Sequence, residues 1–296
     1  MYLKNNKVDY VILTSPQNPS GEVYNDYELK MLINELKMRN IKLIIDICQV
    51  DEFNNKNTYI NYNKTIYEIK YNDMIIINSM SKTRSIPGAR MGYIVADKEI
   101  IKYASNQSAY YYNNHPLIYV TPMILDMLFR MIKLDVLDNK PMDFKTNHKK
   151  FRQMIISKLG LGLYNSLFKN VFSNIEDTYY EFEHDITAQY DMFSSNRQYL
   201  LKILSKYIED CTPMQGGFNF CIKIKDTKCK SQLEFCANLS KSIVSLILPE
   251  SSFNGFIVED TERAFWIRIT VALPKDIFEE IVDKIYMFLE KEKGNN

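Results

Sequence analysis

Histidine is nearly missing from this sequence: His115, His148 and His184 are the only three in 296 residues. They are too scattered for a metal cluster or for a Ser/His/Asp arrangement. Cysteine is scarce as well. Cys48, Cys211, Cys221, Cys229 and Cys236 are odd in number and form no C-x-x-C pair. That argues against a disulfide framework or a zinc site and for reduced thiols in a cytosolic setting. No uninterrupted apolar run approaches the roughly 18 residues of a membrane span, and the polar stretch 1–9 lacks the apolar core of a secretory leader. The formal net charge is only +1, which points to neither nucleic acid nor a membrane surface as a partner. The expected location is the cytoplasm. Arginine is the scarcer cation, with eight residues among 37 basic ones. Where Lys is the default, each Arg gains weight as a planar, bidentate fork.

What remains is ordinary for a globular protein: 46% hydrophobic and 25% charged residues, in a chain long enough for one large or two smaller domains. The first half alternates strands and helices. Residues 8–14 read as a strand ended by the turn-rich 15–21. A helix over 26–39 follows, capped by Asn25 or Asp26, with Leu29, Leu32, Ile33 and Leu36 as its apolar stripe. Residues 41–47 form a continuous apolar run, the pattern of a strand covered on both faces. Further strands fall at 74–78 and 91–96, and helices at about 97–103 and 117–132. Such alternation predicts an α/β sheet, largely parallel. Beyond it, a long helix fits 184–207, strands fit 217–224, 245–248 and 265–271, and helices fit 231–242 and 274–291, an α+β set. The reading divides the chain into a domain over 1–183 and a smaller one over 184–296. The stretch 133–183 reads as an insertion.

The chemistry concentrates at strand ends. Lys82 lies on the segment leaving the 74–78 strand, where a side chain points into the crevice at the carboxyl end of the sheet. A partly desolvated Lys amine there can lose its proton and form a Schiff base with an aldehyde. Ser79 offers a hydroxyl, and Arg90, after a Pro-Gly turn, a fork; together they can grip a phosphate. Asp46 ends the preceding strand in an apolar run, where a carboxylate needs a partner, and a protonated pyridine nitrogen is one. Asn18 sits at the end of the strand before that. Taken singly, Lys82 suits an exposed loop, Asp46 a helix cap and Asn18-Pro19 a plain turn. Three successive strand ends offering Asn, Asp and Lys are harder to obtain by accident.

The spacing S-x-S-K-x-x-x-x-P-G-x-R-x-G from Ser79 to Gly92 resembles the pyridoxal-phosphate (PLP) attachment motif of class I/II aminotransferases, enzymes of fold type I. Asn18-Pro-Ser-Gly21 is similar to that family's N-P-[TS]-G segment. The strand around Arg268 resembles the one whose Arg binds the substrate α-carboxylate. Weaker similarities run through 216–218 and 248–253. The resemblance implies the mostly parallel sheet of a PLP-dependent transferase-like large domain with a smaller α+β C-terminal domain. It also implies an aminotransferase acting on an amino acid and a 2-oxo acid, as a homodimer. In that scheme Lys82 binds the cofactor aldehyde and moves the Cα proton. Asp46 pairs with the ring nitrogen, Asn18 bonds the ring oxygen, Ser79 and Arg90 hold the phosphate, and Arg268 takes the carboxylate.

Two departures stand out. Gln49 occupies the place of a family Tyr that bonds the ring oxygen, an amide without a phenol. In addition, the family's first strands, phosphate loop and stacking aromatic have no counterpart in the seven residues before Val8, so the large domain reads as N-terminally incomplete. A piece of a longer gene product, a part supplied by another chain and a degenerate relative are all consistent with that. The rival functions are a PLP-dependent lyase, decarboxylase or oxidase on the same scaffold, or a non-catalytic binding partner.

Overall fold

The computed structural model describes residues 5–49, 73–111, 120–137, 173–225, 228–245 and 264–294, together with 144, 149, 150, 153, 247 and 252. The chain divides into two compact units. Met1–Thr14 and Tyr24–Thr187 make the first, and Ser15–Val23 with Ala188–Asn296 the second.

In the first unit, β1 (Tyr10–Thr14), β2 (Lys42–Asp46), β3 (Met74–Ser79) and β4 (Gly92–Val95) form one sheet in that order. β1, β2 and β3 are parallel, whereas β4 is antiparallel to β3, with Ser79 opposite Gly92. The reversal follows from chain length. Parallel neighbours need a crossover of a dozen or more residues, usually through a packed helix. Between β3 and β4 the chain has only the one-turn helix α2 (Met80–Thr83) and a 3-10 turn at Pro87–Ala89, so it doubles back.

α1 (Asp26–Met38) is the crossover between β1 and β2. Its start is a capping box: Asn25 Oδ1 accepts from Glu28 N–H, and Glu28 accepts from Asn25 N–H. Leu29, Ile33 and Leu36 are buried, as are Leu13, Leu43, Ile45 and Ile76 on one face of the sheet. The expectation that the 41–47 strand is covered on both faces is met on one face only. On the other, among the described residues, Ile44, Ile75 and Ile77 are half-buried and Ile12 is 64% exposed. After β4 come α3 (Lys98–Tyr111), α4 (Val120–Leu137) and α5 (Ile175–Ile203). α4 runs past the expected end at 132, and α5 begins before the expected start at 184. The two ends of the 133–183 stretch thus belong to regular helices, and most of 138–172, including all but Gln153 of the helical piece expected at 151–159, lies outside the described residues.

The second unit contains the remainder of α5, then β5 (Ile208–Cys211), β6 (Asn219–Ile224), α6 (Gln232–Ile243), β7 (Phe265–Thr270) and α7 (Lys275–Gly294). The strands form an antiparallel sheet in the order β5-β6-β7. Phe193, Leu200, Phe220, Phe235, Ile267 and Val282 are among its fully buried core. β5 was not expected. Of the strand expected at 245–248, Ser245 and Ile247 are described and are not in a strand, and the rest lies outside the described residues. Ser15–Val23, expected with the N-terminal domain, packs into this unit instead.

Candidate active site

The parallel register sets Thr14, Asp46 and Ile77 side by side at the carboxyl ends of β1, β2 and β3. The chain leaving β2 turns at once: Cys48 N–H donates to Asp46 Oδ1 at 2.9 Å. The Cys48 thiol is pushed up to about 12, first by burial and then by its hydrogen bond to Asp46 and that group's charge, against an opposing influence from Lys82. One thiol therefore feels both a carboxylate at the end of β2 and an ammonium on the segment leaving β3. Cys48, a residue the sequence reading did not single out, thus lies within electrostatic reach of both Asp46 and Lys82. Gln49 follows, half-buried, and its Oε1 is buried with no hydrogen-bond partner among the described residues. An amide can present either its oxygen or its NH2 at such a position.

Ser79 begins α2. Its Oγ accepts from Ser81 N–H at 3.1 Å and donates to Met91 O at 3.2 Å. Below it, Asn78 is buried; its amide donates to the Tyr93 hydroxyl at 2.8 Å and its Oδ1 accepts from Ser79 N–H at 2.7 Å. Thr83 Oγ1 donates to Ser79 O at 3.2 Å. Lys82 is exposed on this single turn, and Arg90, exposed and in the left-handed region at φ 51°, donates from Nη1 to Pro87 O at 3.3 Å. Ser79 and Arg90 line one hollow of about 720 Å³ with Asn78, Ser81, Tyr93 and Ser105. Hydroxyls, an amide and a guanidinium are the donor set that suits a phosphate.

In the second unit, Arg268 of β7 donates from Nη1 to Asn18 Oδ1 at 3.4 Å. Asn18 is held there by its neighbours. Gly216 N–H donates to Gly21 O at 3.0 Å, Thr212 Oγ1 to Ser20 O at 2.7 Å, and Val23 N–H to Gln215 Oε1 at 3.0 Å. Gly21 has φ 70°, and a Cβ added to it would stand 2.4 Å from Asn219 O. Only glycine fits. Thr212 and Gln215 escaped the sequence reading because each acts on a residue about 190 positions away.

Solved structures that share this fold include aminotransferases and a PLP-bound lyase. The aromatic aminotransferase of Pyrococcus horikoshii OT3 superposes with a TM-score of 0.61 at 17% identity, over 98% of this chain and 63% of that one. A PLP-bound C–S lyase from Staphylococcus hominis does so at 0.59 and 16%, over 98% and 60%. Among curated proteins, the histidinol-phosphate aminotransferase of Buchnera aphidicola subsp. Schizaphis graminum (strain Sg) is 33% identical over 96 residues, which cover 32% of this chain and 25% of that protein. The chain thus matches about a quarter of that curated relative and about three-fifths of the solved structures. The family model for aminotransferase class I and II matches residues 2–173, more than half of the sequence. The chain belongs to the class I and II aminotransferase family, whose members depend on PLP.

The residues present suit that group. Asp46 is a half-buried carboxylate of the kind that stabilises a pyridinium, Gln49 offers an amide three residues on, and Ser79 and Arg90 line one hollow. Among the described residues, no cluster of three or more His, Cys, Asp or Glu could hold a metal, and no helix is long and apolar enough to cross a membrane.

Proposed function

We propose that this chain carries the amine-bearing part of a PLP-dependent aminotransferase that moves the amino group of an α-amino acid to a 2-oxo acid. The observation that carries the reading is the parallel register, which sets Asp46 at the carboxyl end of β2 beside Ile77 of β3, the strand that runs through Ser79 into the turn bearing Lys82. PLP, when bound, supplies an electron-withdrawing ring that accommodates the charge developing at the substrate Cα.

The chain's own residues do the rest. Lys82 would hold the cofactor through Nζ and would take up and return the Cα proton. Asp46, oriented by the N–H of Cys48, would pair with the ring nitrogen. Ser79 and Arg90 hold the phosphate. By resemblance to the family, Asn18 would bond the ring oxygen and Arg268 would take the substrate carboxylate with a fork suited to two oxygens. The working form is a homodimer in the cytoplasm.

The test is PLP added to the purified full chain. A visible absorbance band should appear, and it should be lost in Lys82→Ala while the far-UV circular dichroism is kept. A folded wild-type protein that develops no band would sink the reading. Gln49, an amide where the family carries a phenol, supports a second one: lyase, decarboxylase or oxidase chemistry on the same residues. Product analysis separates them. An aminated acceptor with a keto acid marks transfer; ammonia or carbon dioxide marks the alternatives.

A further inference from the structure

We propose that Arg84 is a positioning residue, which sets the turn bearing Lys82 through a buried ion pair with Asp126 and so makes α4 and the start of α5 part of the machinery around the amine. The proposal rests on the reading of Lys82 as the reacting amine.

Asp126 lies on α4 with its side chain 1% exposed, beside the buried Ile124, Leu128 and Phe129. A carboxylate taken out of water that far stays charged only with a partner. Arg84 supplies it: Nη2 pairs with Asp126 Oδ1, and Nη1 donates to Thr83 O at 2.7 Å. The guanidinium carbon stands 4.5 Å from the centroid of the Phe182 ring on α5. One planar group thus engages a carboxylate, a backbone carbonyl and an aromatic face, a combination that the point charge of a Lys does not reproduce.

Arg84 is also where α2 ends. Its N–H donates to Met80 O at 3.2 Å, and Ser85 N–H donates to Lys82 O at 3.3 Å. A four-residue helix has no stability of its own, so its geometry comes from what holds its two ends. Ser79 holds the start, through Ser81 N–H and Met91 O. Arg84 holds the finish. Lys82 is suspended between a sheet anchor and a helix anchor. A buried ion pair is a poor way to add stability compared with apolar packing, but it fixes orientation. That contrast favours positioning over mere filling.

The full chain would be compared with Arg84→Lys and with the double variant Arg84→Met/Asp126→Leu, which removes the pair without leaving a buried lone charge. Amide hydrogen exchange needs no cofactor. In the double variant it should speed up by about tenfold at 81–85 and stay unchanged in β2 and β3. Covalent capture of PLP on Lys82, trapped by borohydride and read by peptide mass spectrometry, should slow by about tenfold at saturating PLP. The half-saturating PLP concentration should not change, because Ser79 and Arg90 are untouched. Arg84→Lys should fall between the two proteins.

Unchanged exchange and capture in the double variant would overturn the proposal while leaving the aminotransferase reading intact. Faster exchange spread over β2 and β3 would also overturn it, by showing general loosening. A wild-type chain that captures no PLP on Lys82 would overturn the reading itself and this inference with it.

Discussion

At the scale of single residues, Cys48 reports on its two neighbours with opposite signs. Its thiol is held protonated at neutral pH, and a protonated thiol alkylates slowly. Asp46→Asn removes a charge that raises it and puts a weaker, neutral acceptor in its place, so native-state alkylation of Cys48 by iodoacetamide at pH 8 should speed up. Lys82→Ala removes the influence that opposes them, so the same reaction should slow further. Peptide mass spectrometry measures both; two shifts in the same direction would contradict the arrangement of Asp46 and Lys82 around the thiol. Lys82 and Asp46 were legible in the sequence because their types stand out at the ends of apolar strands. Cys48 was not, since a single thiol after a strand looks like any other small apolar residue. Arg84 left a faint trace as one of few arginines, but Asp126, 42 positions on, could not be paired with it from spacing alone.

Among the elements, those with strong local signals were readable and those set by distant partners were not. α1 announced itself by its cap and its apolar stripe, and β2, β3, β6 and β7 by their runs of branched residues. The direction of β4 was hidden, because it depends on how few residues separate it from β3 rather than on its own composition. The four-residue β5 was hidden too, since Ile208–Cys211 alternates too briefly and exists by pairing with β6. The stretch 15–21 read correctly as a turn, yet nothing local said that it packs against residues 212–219. That packing has a measurable cost of failure. Gly21→Ala combines a left-handed φ with a Cβ pressed on Asn219 O, and should destabilise the protein by about 1–3 kcal/mol in urea unfolding. A loss well under that range would mean that the turn relaxes away from β6.

For the molecule as a whole, the outer strands of the first sheet are the exposed weakness. Among the described residues, β1 and β4 are the outer strands of this sheet, with Ile12 64% and Ile94 43% exposed. Apolar edge strands invite pairing with other chains, and lysine is a common deterrent. Ile12→Lys should lower light scattering on concentration and, being at an exposed site, shift stability by no more than about 0.5 kcal/mol. Unchanged scattering would place the association surface elsewhere. The second unit carries a different burden. Thr212, which holds Ser20 of the Ser15–Val23 segment, is made 192 positions after it. At the usual pace of translation, some 5–20 residues per second, that interval is about 10–40 s. For that time the strand before this segment and the helix after it can form while the nine residues between them have nothing to close upon. The rate of synthesis thus sets how long the segment waits for its partners.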